Sequence, residues 1–193
     1  ARAARDTDIP FFISGASTAT MEEIAAVAGD HAWLQLYLAK DRRIADDMVA
    51  RAKAAGIKTL VVTVDTPGPN KRERNIRNGF SGVRTIKPTW RIKFEALTHP
   101  GWLYEYATGP GLTASNWEKY AAAAGVKDVL AFVSSELPSP VTWDDIKHLR
   151  KSWAGPLVIK GIMHHDDARQ AAALGVDGII VSNHGGRQLD RSP

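Results

Sequence analysis

No cysteine occurs among the 193 residues. Disulfides, thiolate metal sites and cysteine nucleophiles are thereby excluded together, and the composition suits a cytoplasmic protein. No apolar stretch reaches the length of a membrane-spanning helix. The first residues, Ala1 to Asp6, show neither an initiator methionine nor the apolar core of a signal peptide, so the chain is expected to start inside a longer protein. Neither sign of charge dominates: 25 Lys and Arg against 21 Asp and Glu leave +4. That surplus is too small to argue for nucleic acid as a partner. The turn at 14–18 lacks a Gly-x-Gly-x-x-Gly pattern, so a dinucleotide-binding start is not supported.

What is present is an apolar fraction of 44% arranged in a strand-then-helix rhythm. Short β-branched or apolar runs at 11–14, 33–38, 59–64, 157–160 and 178–182 read as strands. Thr20 and Glu23 have capping-box spacing ahead of a helix to Ala28. Asp41 caps a helix expected over 43–55, and Gly56 ends it. A further helix is expected over 166–174, with Gly175 as its stop. Strands alternating with helices predict parallel βαβ units and an α/β fold. Roughly 90 residues between the third and fourth strands show no strand pattern, and so long an excursion is usually functional. Helices are expected there at 115–124 and 143–153, and its aromatics (Trp90, Phe94, Trp102, Tyr104, Tyr106) are expected to fold back onto apolar surface.

Chemistry-bearing residues collect at strand ends. Ser14 ends the first strand, Gln35 and Tyr37 share a face of the second, Thr63 and Asp65 share a face of the third, and Lys160 ends the fourth. The fifth runs into Val181-Ser182-Asn183-His184-Gly185-Gly186-Arg187-Gln188-Leu189-Asp190. Inward polar groups on five strands are costly in a sealed core. They suit a polar, planar ligand at the C-terminal rim of a barrel. Five units cannot close a (β/α)8 barrel, which needs about 250 residues. The fold class is therefore α/β, an incomplete (β/α)8 barrel with a long insertion at about 66–156 and a single partial domain over 1–193. The basic run 71–77 and the stretch 84–93 read equally as solvated loop or anion site. His164-His165 is not expected to bind metal, because adjacent side chains at a strand-to-helix turn diverge.

The ten-residue string at 181–190 resembles the signature of the FMN-dependent α-hydroxy acid dehydrogenase/oxidase family. The resemblance extends through Trp33-Leu34-Gln35-Leu36-Tyr37 with Lys40-Asp41-Arg42. It continues in Val62-Thr63-Val64-Asp65-Thr66-Pro67 through Arg72, Glu73, Asn78 and Phe80, and in Val158-Ile159-Lys160-Gly161-Ile162. Four motifs stand in the family's order with the long insertion in its usual place. Asn70 and Asn75 depart from the glycine and aspartate common in relatives.

The resemblance implies FMN as cofactor and oxidation of an (S)-2-hydroxy acid to its 2-oxo acid. It implies His184 as base, Asp65 as the imidazole's partner, and Lys160 at the flavin's N1–C2 carbonyl edge. Arg187, Tyr37 and Arg72 would bind substrate, and Ser14, Gln35, Thr63 and Ser182 would line the flavin. Ala16, where the glycolate-oxidase branch has tryptophan, implies a substrate of lactate size or an aromatic acid. A homo-oligomer (a tetramer in intact relatives) and peripheral membrane contact through the long loop are also implied, on the inner face of the membrane. The family's phosphate-binding turns, an Asp-Gly-Gly-x-Arg segment and a Gly-Arg turn after the last two strands, would lie beyond the histidine strand. The chain is thus expected to lack barrel elements at both ends and to be inactive alone. Two other readings stay open: a flavin-independent barrel isomerase or lyase using Lys160 as a Schiff-base amine with His184 as acid/base, and a non-catalytic packing module.

Overall fold

The computed structural model describes residues 1–66, 68, 77, 90–109, 111, 113–137 and 139–187. Five strands form one parallel sheet: β1 (Phe11–Ser14), β2 (Ala32–Leu36), β3 (Thr59–Thr63), β4 (Leu157–Ile162) and β5 (Gly178–Val181). Their spatial order equals their sequence order, β1-β2-β3-β4-β5. A doubly wound sheet reverses direction at a switch point; a barrel wall does not. This sheet is an arc of wall.

Alternation along each strand sorts the residues into two faces. Ile13, Leu34, Leu36, Leu60, Val62, Leu157 and Ile159 lie on one face and are fully buried in the main core. Helices cover that face. Met21, Ala25 and Ala28 come from α2 (Met21–Ala28), and Ile44, Ala45, Met48, Val49 and Ala52 from α3 (Arg42–Ala54). The opposite face carries Ser14, Gln35, Thr63 and Lys160. A short α1 (Arg2–Asp6) precedes β1.

Local chemistry sets the helix starts. Thr20 and Glu23 form the capping box of α2, and the Asp41 carboxylate accepts from the Arg43 N–H at the head of α3. Such caps contribute about 1 kcal/mol each. β2 stops at Leu36 and β3 at Thr63, so Tyr37 and Asp65 sit just beyond their strands rather than inside them. β4, by contrast, runs two residues past Lys160, through a bulge.

The insertion is helical where it is described: α4 (Trp90–Leu97), α5 (Pro100–Thr108), a 3-10 turn (Ser115–Trp117), α6 (Glu118–Ala123), α7 (Val129–Glu136) and α8 (Trp143–Ser152). Its aromatics divide, which corrects the expectation that they fold back. Trp90, Phe94, Trp102, Tyr104 and Tyr106 on α4 and α5 are exposed, while Trp117 and Phe132 enter the core. The returning half is fastened by long-range polar contacts. Trp117 Nε1 donates to Gly15 O (2.9 Å), Met21 N donates to Asn116 Oδ1 (2.8 Å), and Ser115 N donates to Ser17 O (3.0 Å). Farther on, Arg42 donates to both oxygens of Asp145 (2.8 and 2.9 Å), to Ser139 Oγ and to Pro140 O. After β4, α9 (His165–Ala173) leads back to β5.

Candidate active site

The C-terminal ends of β3, β4 and β5 bring three sequence-distant groups together. Asp65 follows β3 and its side chain is wholly buried. Its Oδ1 lies 2.9 Å from His184 Nδ1, and its Oδ2 accepts from Lys160 Nζ at 3.5 Å. A carboxylate only accepts, so Nδ1 is the donor in this contact, and in the neutral ring Nε2 keeps its lone pair. Lys160 Nζ also donates to Ser182 Oγ (3.3 Å), which in turn accepts from His184 N (3.0 Å). One hydroxyl therefore ties the lysine to the backbone of the histidine turn. A buried carboxylate between an ammonium and an imidazole holds a negative charge in a low-dielectric setting, where each contact is stronger than in water.

The histidine turn is built to aim the ring. His184 has φ +64, rare for a residue with a side chain, and is followed by Gly185 at φ +67 and Gly186 at φ +70. Three successive left-handed residues reverse the chain at the end of β5, and glycine makes two of them free of Cβ conflict. Asn183 Oδ1 steadies the turn by accepting from Gly186 N (3.1 Å). The strained φ at His184, of a kind worth about 1–3 kcal/mol, persists where surrounding contacts over-determine it; here the Asp65 and Ser182 contacts do so. Arg187 closes the turn and is exposed.

A second buried group sits on the neighbouring strands. Gln35 Nε2 donates to Thr63 Oγ1 (2.8 Å), and Gly15 N donates to Gln35 Oε1 at 3.4 Å. This couples β1, β2 and β3 on the face that carries Lys160. Ser14 Oγ accepts from Ala16 N (3.3 Å) and is exposed. Tyr37 is half-buried beyond β2. Arg72, and with it the basic run it belongs to, lies outside the described residues apart from Arg77.

His164 and His165 do not diverge, contrary to expectation: their ring centroids are 4.2 Å apart. With Asp166 they place three ligand-type atoms within 4.8 Å of one another, all on exposed residues. These atoms have other commitments. His164 Nδ1 accepts from Asp166 N as the cap of α9, and Asp166 Oδ1 accepts from Arg169 at 2.7 Å. The positive end of the α9 dipole also opposes a cation there.

Residues 1–193 match the model of the FMN-dependent dehydrogenase family. The chain belongs to the FMN-dependent dehydrogenase family. An L-lactate dehydrogenase of Pseudomonas putida is 43% identical over 192 residues, covering 98% of this chain and 50% of that protein. A solved (S)-mandelate dehydrogenase, described as a monotopic membrane protein, superposes with a TM-score of 0.87 at 32% identity, covering 99% of this chain and 50% of that one. A mandelate oxidase variant carrying a C4a-OH-FMN adduct gives a TM-score of 0.70 at 34% identity over 98% of this chain and 44% of that one. The chain spans about half the length of the curated relatives it matches. As a member of this family it is part of a TIM barrel, and the five-stranded arc is that part's wall.

Reasoning from sequence missed three features of the site. The Trp117–Gly15 and Asn116–Met21 contacts that hold the β1 turn join residues 102 and 95 positions apart. No local pattern announces them. The Arg42–Asp145 fastening was half visible, since both residues stand in recognised segments without any sign that they pair. The third is the bulge at Gly161.

Proposed function

We propose that the chain carries the proton-accepting and substrate-orienting half of an FMN-dependent enzyme that oxidises an (S)-2-hydroxy acid to its 2-oxo acid. The observation that carries this reading is the Asp65–His184 contact, with Lys160 on the same buried carboxylate. Held at Nδ1, the His184 ring presents Nε2 to take the hydroxyl proton, and the adjacent carboxylate stabilises the imidazolium that results. Arg187 offers a planar fork for the substrate carboxylate, and Tyr37 and Arg72 complete its orientation. When bound, FMN supplies the two-electron acceptor for the substrate's carbon-bound hydrogen.

The residues present fit that cofactor. Gln35 and Thr63 are buried polar groups on one face, and Gln35 keeps one amide N–H beyond the bond it gives Thr63. Among the described residues Lys160 makes only long contacts, 3.3 and 3.5 Å, so its ammonium has donors left for an electron-rich ring edge. Ser14 and Ser182 flank this group on β1 and after β5.

Ala16 leaves room beside the β1 turn, which favours lactate-sized or aromatic acids over glycolate. Anaerobic addition of (S)-lactate, (S)-mandelate or glycolate to the complete flavin-loaded protein tests the reading. The expected result is loss of the flavin's visible absorbance with stoichiometric 2-oxo acid, slowest for glycolate. Unchanged absorbance together with borohydride trapping of an adduct on Lys160 would favour the flavin-independent barrel enzyme instead.

The proposal extends to a peripheral membrane contact in a cytoplasmic homo-oligomer. Among the described residues, no helix is long and apolar enough to cross a membrane. Yet α4 and α5 expose Trp90, Phe94, Leu97, Trp102 and Tyr106 together. Tryptophan and tyrosine favour the membrane–water interface, where one end of the ring is apolar and the other wet. Co-sedimentation of the complete protein with lipid vesicles, lost when Trp90, Phe94 and Trp102 become serine, is the expected outcome.

A further inference from the structure

We propose that Gly161 is a positioning residue for the base: by having no side chain, it fixes Asp65 where one carboxylate serves both His184 and Lys160. The inference rests on the reading of Asp65 and His184 given above.

The bulge explains how. Lys160 pairs with Ile180 and Ile162 with Val181, so Gly161 is the extra residue in β4. On the other side, Thr63 pairs with Lys160, and Val64 N donates to Lys160 O at 2.9 Å. The backbone following β3 is thereby drawn against the bulge. A Cβ at position 161 would lie 2.6 Å from Asp65 Cβ, 2.8 Å from Asp65 N and 2.9 Å from Asp65 Cγ. Two of these three atoms belong to the side chain that holds the imidazole, and the third is backbone. Gly161 also has φ +111, a conformation that residues with a side chain rarely adopt. Any side chain there must displace Asp65 or straighten the bulge that aims Lys160. Asp65 uses Oδ1 for His184 and Oδ2 for Lys160, so a shift or rotation that spares one contact breaks the other. Gly178 provides the contrast, since an added Cβ would meet Val158 Cγ2 at 3.5 Å and Cγ1 at 3.9 Å, both ordinary contacts.

The test compares Gly161→Ala with Gly178→Ala in the complete flavin-loaded protein, using two readouts. The first is the tautomer of His184, read from 15N-histidine NMR with His184→Gln to assign the signal. The second is the flavin-reduction rate against substrate concentration. For Gly161→Ala we expect the Nδ1–H tautomer to give way to the Nε2–H form. We also expect kcat to fall about 10- to 100-fold while KM stays within about threefold, because misplacement of a reacting group acts on the chemical step. Gly178→Ala should match the wild type in both. A folded Gly161→Ala protein with wild-type tautomer and wild-type reduction rate overturns the inference, as does a fall in thermal stability with kcat unchanged. If Gly161→Ala does not fold, pairing it with Asp65→Gly decides. Recovered folding supports the collision with the Asp65 side chain, and no recovery places the cost in the backbone of positions 65 and 161 and overturns the assignment. Should His184→Gln keep wild-type reduction, the reading of the base fails, while the tautomer comparison still decides the role of Gly161.

Discussion

Two histidine–aspartate clusters stand near the same end of the sheet, and their difference shows what gives such a cluster its chemistry. His164, His165 and Asp166 are consecutive, exposed and close enough for their rings to touch. His184 and Asp65 are 119 residues apart, and the carboxylate is entirely buried. The first cluster is visible in the sequence as a cluster. Its atoms lie in water, where ion pairs contribute little, and they serve to start α9. The second exists only because β3 and β5 flank β4. Burial there removes competing water, and a single hydrogen bond fixes which ring nitrogen holds the proton. Both draw on histidine and aspartate; desolvation and direction separate them.

The largest effect comes from asking whether the buried cluster suffices alone. Residues 1–193 contain both clusters intact, but β1 and β5 are unpaired edges among the described residues, and Phe12, Ile179 and Val181 are exposed. Such edges invite association. Residues 1–193 expressed by themselves are expected to turn over no hydroxy acid, to self-associate and to bind FMN far more weakly than the complete protein. Equilibrium dialysis and a 2-oxo acid assay measure this; tight stoichiometric FMN binding by a monomer would show the site to be complete within the arc.

Next is the base. His184→Gln in the complete protein should retain flavin and lose substrate-driven flavin reduction by about 10²–10⁴-fold, the usual contribution of general base catalysis. Stopped-flow reduction near the wild-type rate would remove His184 from the mechanism.

A smaller effect concerns the fastening between α3 and α8. Arg42→Met should cost about 1–3 kcal/mol in urea denaturation, since Asp145, Ser139 and Pro140 lose a shared donor. The pH dependence follows from Asp145. Burial pushes its carboxyl up, but the Thr142 N–H and hydroxyl and the Arg42 guanidinium outweigh burial and hold it below the usual range. A carboxyl lowered in the folded state stabilises above its unfolded value of about 4 and loses that contribution as pH falls through its lower folded value. The wild type should therefore lose stability below about pH 4, and Arg42→Met should lose less over the same window.

The smallest effect completes the contrast. His164→Ala with His165→Ala should leave flavin reduction unchanged, with stability reduced by about 1 kcal/mol for the lost cap. Reduction slowed to the level of His184→Gln would erase the distinction between the clusters.

How much was legible follows the same line. Five strands in order could be read because parallel, buried strands leave continuous apolar runs such as Leu60-Val61-Val62. The capping box of α2 could be read because Thr20 and Glu23 are three residues apart. His184, Asp65, Lys160, Gln35 and Thr63 were legible as candidates through polar residues at strand ends and through the family's motifs. Illegible were contacts that only the fold creates: Trp117 on Gly15, Arg42 on Asp145, Asp65 against Gly161. The aromatics of α4 and α5 misled for a physical reason. Residue type indicates what a side chain prefers to cover, and periodicity cannot tell a core from a surface left exposed.

The most direct test of the central claim is Asp65→Asn in the complete, flavin-loaded protein, read by anaerobic stopped-flow reduction with the preferred (S)-2-hydroxy acid. An asparagine keeps the size of the side chain and removes the charge that holds Nδ1–H and stabilises the imidazolium. The variant is expected to stay folded and yellow, with a reduction rate about 10²-fold lower or more. Reduction at the wild-type rate would contradict the claim, because the buried pair would then be an element of packing and not of the reaction.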